Sequence, residues 1–360
     1  MRIGLSKKSV ATRVAPFGVS AAECSGARLT AEPRSSVVCL TVSTGHLYST
    51  TVAPNKPDNQ LKHHKFGGDW TTLKLQVIQA YLRAYTTALK DKPSPGNPFR
   101  KAYIDAFAGT GYRSAAGDET QPASPQNVLF PDIVEPEPQR LLDGSARLAL
   151  QTDPPFDRYV FIERRQDRCR QLEDLKAEFP HLADRIDVQQ GEANEKIQKL
   201  CRKGWDSHRA VLFLDPYGMN VEWKTIAAVA ATKAIDMWLL FPLGIGVNRL
   251  LTRSGDIPPP WKDRITLLLG DDDWYNEFYR IAPTRTLFGQ EERIEKAKMD
   301  VIGRRFNDRL RQVFAGVAAE PGVLRNSSNS PLYLLCFAVG NENGKKIALR
   351  IAEHLLKELR

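Results

Sequence analysis

Between residues 101 and 241 five apolar runs alternate with segments of helical periodicity, and this alternation restricts the fold more than any other feature of the chain. The runs are Lys101-Ala-Tyr-Ile-Asp-Ala-Phe107, Arg158-Tyr-Val-Phe-Ile-Glu163, Ile186-Asp-Val188, Ala210-Val-Leu-Phe-Leu-Asp215 and Ile235-Asp-Met-Trp-Leu-Leu-Phe241. Most are continuously apolar rather than alternating, as strands covered on both faces must be, and helices separate them. The expected fold class is therefore α/β, with a doubly wound, mostly parallel sheet. Two later runs, Gly322 to Leu324 and Leu332 to Val339, flank a turn at Asn326 to Ser330 and read as an antiparallel strand pair at one sheet edge. Ahead of the sheet, Leu73, Leu75, Val77, Ile78, Tyr81, Leu82, Tyr85 and Leu89 recur at spacings of three and four, which predicts an N-terminal amphipathic helix over 70–89.

The first run ends differently from the others. After Asp105 and Phe107 it breaks into Gly109-Thr-Gly111, and glycine lets a backbone turn sharply and come into contact with a ligand. Acids then fall at the ends of successive runs: Asp105, Glu163, Glu192 just past the third, and Asp215. In a doubly wound sheet these carboxyl ends line one crevice, and an acid after the second strand is placed to hold ribose hydroxyls. The loop lacks the third glycine of a dinucleotide fingerprint, and no Gly-Lys-Ser/Thr follows it. A nucleoside-type ligand without a pyrophosphate is the resulting expectation.

The rest of the chain is read around that sheet. Residues 1–60 carry no periodic apolar spacing and are expected to be disordered or a non-native extension, with the α/β domain spanning 65–360. Residues 112–144, with Pro122, Pro125, Pro131, Pro136 and Pro138, read as an insertion. Residues 248–314 read as a largely helical segment, including a charged helix from Glu291 to Phe314. Within it Arg304, Arg305, Arg309 and Arg311 could track phosphates, or else form a solvated face with Glu291, Glu292, Glu295 and Asp308. Trp238, Phe241, Trp274 and Tyr275 are candidate aromatic walls, although core packing suits Trp238 in its apolar strand better.

Lys and Arg total 51 against 42 Asp and Glu, a net charge of +9, which favours a polyanionic partner such as DNA or RNA. The five cysteines are scattered without a CxxC pair, which suits a reduced cytoplasmic protein and offers no cysteine-built metal site. His63 and His64 are adjacent and lack the spacing of a helical ligand pair. The longest apolar stretch, 234–247, is interrupted by Asp236 and Pro242 and is too short to span a bilayer. A nuclease or other hydrolase would need clustered carboxylates for metal, whereas these acids lie on separate strand ends.

In order and spacing, DAFAGTG, FIE, GEAN and LDPYG resemble the motifs of class I S-adenosylmethionine-dependent methyltransferases, a Rossmann-like fold. Asp215-Pro216-Tyr217 resembles the acid-proline-aromatic signature of members that methylate nucleobase nitrogens. From about Thr72 to Leu356 the chain also resembles the three-Cys-motif partner family, through those motifs together with FPLGIGVN at 241–248 and LCFAVGN at 335–341. The resemblance implies S-adenosylmethionine as cofactor. Asp105, Phe107, Gly109 and Gly111 would lie at its methionine part, Glu163 at the ribose and Glu192 at the adenine edge. Asp215, Pro216 and Tyr217 would form the catalytic acceptor site. It implies equally a catalytically silent alternative, a binding partner of a three-cysteine-motif protein in a repair or defence system. The chain departs from the class I pattern in two places: the insertion replaces the helix directly after the glycine loop, and the signature holds a single proline, followed by Gly218.

Because residues 1–60 show neither periodic apolar spacing nor paired turn signals, a truncation beginning near Asn59 should melt at the temperature of the full chain. A large fall in melting temperature or soluble yield would show that the segment belongs to the fold.

Overall fold

The computed structural model describes residues 70–91, 94, 99–109, 112–113, 142–286 and 289–359. The expectations for residues 1–60, for most of the insertion and for Gly111 lie outside the described residues. In chain order the elements are α1 (Trp70–Ala88), β1 (Arg100–Asp105), β2 (Tyr112–Arg113), β3 (Leu142–Asp143), α2 (Ser145–Leu150), β4 (Arg158–Glu163), α3 (Gln166–Glu178), β5 (Ile186–Gln190), α4 (Ala193–Cys201) and β6 (His208–Leu214). They continue with α5 (Trp223–Ala231), β7 (Ile235–Phe241), α6 (Pro259–Leu269), α7 (Trp274–Phe278), β8 (Tyr279–Thr286), β9 (Gly289–Lys296), α8 (Met299–Val313), β10 (Gly316–Val317), β11 (Gly322–Arg325), β12 (Pro331–Val339) and α9 (Lys345–Leu356).

The main sheet runs in the order β10-β12-β7-β6-β1-β4-β5, with β11 also paired to β12. Strands β5, β4, β1, β6 and β7 are parallel, while β12 is antiparallel to β7 and to the short strands on its other side. This is the expected doubly wound, Rossmann-like α/β architecture with its antiparallel edge pair. Side-chain alternation within each apolar run feeds two cores. Ala102, Ile104, Leu212, Leu214, Met237 and Leu239 face one side, against Ile197 of α4, Ile226 of α5, Ile265 of α6 and Phe306 of α8. Tyr103, Phe161, Val211, Phe213, Trp238 and Leu240 face the other, against α1, α2, α3 and α9. Both faces being covered, the strand interiors have no use for polar residues, and polar side chains collect at the strand ends.

From β1 the chain moves outward to β4 and β5, then returns across the sheet to β6 on the opposite flank. The direction of winding thus reverses between β1 and β6, paired in register from Arg100 with His208 to Asp105 with Phe213. A crevice opens at such a point on the carboxyl side. On either side of the insertion, β2 and β3 pair at Tyr112 with Asp143 and Arg113 with Leu142, and α2 follows directly.

Three readings of the sequence need correction. The helix expected from Glu291 begins at Met299, and Gly289–Lys296 is a strand paired antiparallel to β8, so the 248–314 segment is not continuously helical. The paired Ile281 and Ile294 are 69% and 42% exposed. Backbone pairing, rather than a buried apolar face, holds that ribbon, so no apolar periodicity announces it. At α1, Leu73 is on the rim and Lys74 takes the buried position. Trp238, Phe241 and Trp274 are fully buried core residues, and Tyr275 donates its hydroxyl to the Gly255 carbonyl at 2.8 Å, so none of the first three is a wall of an open site.

Asp236 is the polar exception inside the sheet. Near the start of β7 it accepts hydrogen bonds from the Tyr81 hydroxyl at 2.9 Å and from the Gly340 amide at 3.2 Å. Gly340 must stay close, since a Cβ there would lie 2.4 Å from the Ile235 carbonyl oxygen. Burial pushes the Asp236 carboxyl from 3.8 up to about 7, against the lowering effect of those two donors and of Arg209. The folded state therefore holds this proton more tightly than the unfolded chain. The stability it contributes is complete below 3.8 and is lost as pH rises towards about 7. Asp236→Asn, which mimics the protonated group, should gain melting temperature relative to the parent across that interval; parallel melting curves from pH 4 to 8 would contradict this assignment.

Candidate functional site

The glycine loop is fixed by its neighbours before any ligand is considered. Leaving β1, the Ala106 amide donates to the Phe213 carbonyl of β6 at 3.2 Å, and the Ala108 amide donates to the Ile162 carbonyl of β4 at 3.2 Å. Gly109 then adopts φ +62°, a left-handed conformation, and a Cβ there would meet nothing within 4 Å. Its amide donates to Oε2 of Glu163 at 3.1 Å, while Oε1 accepts from the Arg165 amide at 2.9 Å. Glu163, only 8% exposed, thereby ties the turn after β1 to the turn after β4. Each of its oxygens retains a lone pair, so ribose hydroxyls could still be accepted.

Asp105 lies fully buried beneath the loop. It accepts from the Phe107 amide at 3.3 Å and from the Tyr103 hydroxyl at 3.4 Å. Burial pushes its carboxyl up to about 7, against the hydrogen bonds of Ser145, Phe107 and Tyr103, and the charge of Asp215 pushes in the same direction. Phe107 is half-buried and packs against the core cluster. Glu192 caps α4, accepting from the Glu195 amide and the Asn194 side chain, both at 2.8 Å. Such N-caps hold helices in many folds. Asn194, which the sequence reading passed over, connects that cap to the turn after β6. It donates to the Asn220 carbonyl at 2.8 Å and accepts from the Glu222 amide at 3.0 Å and the Thr225 hydroxyl at 2.9 Å.

Asp215-Pro-Tyr-Gly218 is a strand-ending turn. Pro216 is buried, Gly218 has φ +60° and the Tyr217 carbonyl accepts from Asn220 at 2.6 Å. The turn also presents the Tyr217 ring, 61% exposed, above the sheet edge. Asp215 is paired with Lys74 of α1, Nζ to Oδ2 2.5 Å, with side chains 24% and 5% exposed. Lys74 also lies 4.8 Å from the centre of the Trp70 ring. The one signal for it in the sequence is a lysine at an apolar position of an otherwise amphipathic helix, flanked by Leu75 and Ile78.

The arginines of α8 are committed elsewhere. Arg305 is paired with Asp271 and Glu277, Arg309 with Asp271 at 3.2 Å, and Arg304 and Arg311 with Asp300 and Asp308 of their own helix. These ion pairs form the salt-bridged helix face that the sequence offered as the alternative to a phosphate track. Among the described residues, no helix is long and apolar enough to cross a membrane.

No family model matches the chain, and no curated protein does. Solved structures give partial superpositions. The Legionella pneumophila protein LPL1258 is 11% identical, over 82% of this chain and 94% of its own, with a TM-score of 0.42. Spermidine synthase from Thermotoga maritima is 10% identical, over 76% of this chain and 61% of its own, at 0.34. A putative caffeoyl-CoA O-methyltransferase from Staphylococcus aureus is 12% identical, over 62% and 83%, at 0.25. Likenesses this low carry no weight for the chemistry; the fold assignment rests on strand order and direction.

The Lys74–Asp215 pair has a measurable consequence. Asp215→Asn strands a buried ammonium without its counter-charge, whereas Lys74→Met leaves a carboxylate that water can reach. Asp215→Asn should therefore cost the more, about 2–3 kcal/mol once the usual penalty for halving a buried pair is discounted for the exposure of Asp215. Denaturant melts of both variants check this, and a larger loss for Lys74→Met would contradict it.

Proposed function

We propose that the chain is an S-adenosylmethionine-dependent methyltransferase-like protein acting on nucleic acid bases. One observation carries the reading: Asp105, Gly109, Glu163 and Asp215 gather at the carboxyl edge of β1, β4 and β6, where the winding of the sheet reverses and where open α/β sheets bind their ligands. Glu163 would receive the ribose hydroxyls on its remaining lone pairs. Gly109, with open space at its Cβ position, would let the backbone approach the methionine part, together with Gly111. Glu192 would turn a remaining lone pair to the adenine edge. When bound, the cofactor would supply an electrophilic methyl group. The protein's own part is placement: Asp215 accepts a hydrogen bond from an exocyclic amine, Pro216 fixes the turn, and Tyr217 stacks on a base drawn out of its strand.

A second reading is favoured by the Lys74–Asp215 pair, which already neutralises the acid that the chemistry would use. In that reading the fold is catalytically silent and serves as a scaffold for DNA, RNA or a three-cysteine-motif protein. Calorimetry with S-adenosylmethionine and its demethylated product, followed by labelled methyl transfer to mixed DNA and RNA, separates the two. The first reading expects saturable cofactor binding, weakened at least tenfold by Glu163→Gln, the loss of about 1.5 kcal/mol or more for hydrogen bonds to a charged group. It also expects Asp215→Asn to bind cofactor and lose transfer. Absence of cofactor binding by the parent protein would sink the first reading and leave the scaffold.

A further inference from the structure

Arg168 lies in the first turn of α3. It is 8% exposed, and its Nε is buried without a hydrogen-bond partner. Among the described residues its recorded contact is the Tyr217 ring, 6.0 Å from guanidinium carbon to ring centre. The acids nearest it in sequence are engaged elsewhere: Glu163 with the Gly109 and Arg165 amides, and Asp167 with the Arg165 side chain. Arg305 and Arg309 also have an unpartnered Nε, but both meet carboxylates through their terminal nitrogens. A buried Nε donor without an acceptor is costly, and an aromatic face offsets only part of that cost.

We propose that Arg168 is an anion-binding residue on the acceptor side of the crevice, taking a backbone phosphate of a nucleic acid strand while Tyr217 stacks on the adjoining base. This rests on the acceptor-site reading above and adds the group that holds the strand's charge. A planar guanidinium fork matches phosphate oxygens bidentately. A nucleotide offers both things this corner is built for, a flat ring and an oxyanion close beside it. The net charge of +9 favours the same class of partner. The carboxylate of the cofactor's amino acid is the competing anion, and the test separates the two.

Fluorescence anisotropy of a labelled mixed-sequence single-stranded DNA, and of the matching RNA, is measured over a salt series with the full chain. The proposal expects Arg168→Gln to bind about tenfold more weakly at low salt and to lose about one unit of the slope of log affinity against log salt. Arg168→Lys should recover part of both, and Lys346→Gln, which removes an exposed charge on α9, should change neither. Since the substitution removes a buried Nε donor that has no acceptor, Arg168→Gln should melt no lower than the parent, whereas a merely structural arginine would cost stability. The proposal is overturned if the parent binds neither strand, if the slope of Arg168→Gln matches the parent's, or if that variant loses cofactor affinity in calorimetry while keeping strand binding, which would assign the carboxylate. A parent that binds cofactor but no strand refutes this inference and leaves cofactor recognition standing; Arg168-dependent strand binding without cofactor binding does the reverse.

Discussion

The constraint on which everything else depends is the burial of the parallel strands on both faces. With Tyr103, Phe161 and Phe213 under one layer of helices and Ile104, Leu212 and Leu214 under the other, a charged side chain can rarely be accommodated along the strands. Charges are displaced to where the strands stop. The carboxyl edge then concentrates Asp105, Glu163 and Asp215 within reach of one another, and Glu163 spends its carboxylate on holding two turns together. The crevice is thus a by-product of a dry sheet before it is a site for anything.

Much of this was legible in the residues. Continuous apolar runs gave the number of the parallel strands, and β4 and β7 match their sequence limits at both ends. The strand-end acids could be placed because each closes such a run. What could not be read were side chains whose role depends on a partner distant in sequence. Lys74 meets Asp215 across 141 positions, and although a lysine at an apolar helix position is out of place, nothing local to it names its partner. Arg168 follows Glu163 by a single turn, yet what distinguishes it is a buried Nε donor without an acceptor, a property of packing rather than of spacing. The β8–β9 ribbon was invisible for the opposite reason: its order lies in backbone pairing, while its side chains are mixed charges that suit helix and strand alike.

Asp215 shows how one residue can belong to the fold and to a site together. Its carboxylate closes β6, anchors α1 through Lys74 and raises the proton affinity of Asp105. The N-terminal helix is therefore coupled to the crevice by charge as well as by apolar contact. A ligand that draws Asp215 towards itself would have to offer Lys74 another anion, or loosen the start of α1. Occupancy of the crevice and order of the helix are linked quantities in this architecture.

The pairing of β2 with β3 bears on how such a protein could diversify. Where the chain leaves the glycine loop and where it returns to α2, two residues on each side are paired. The ends of the intervening segment are thus held at fixed separation, whatever its length. For a flexible connection, closure entropy grows only with the logarithm of chain length, about 0.6 kcal/mol for each doubling. Any flexible connection anchored at these two pairs could lengthen or shorten at that small cost without changing the pairs themselves. The clamp separates the history of the insertion from that of the sheet, and makes this position a natural port for grafting new recognition onto an unchanged scaffold.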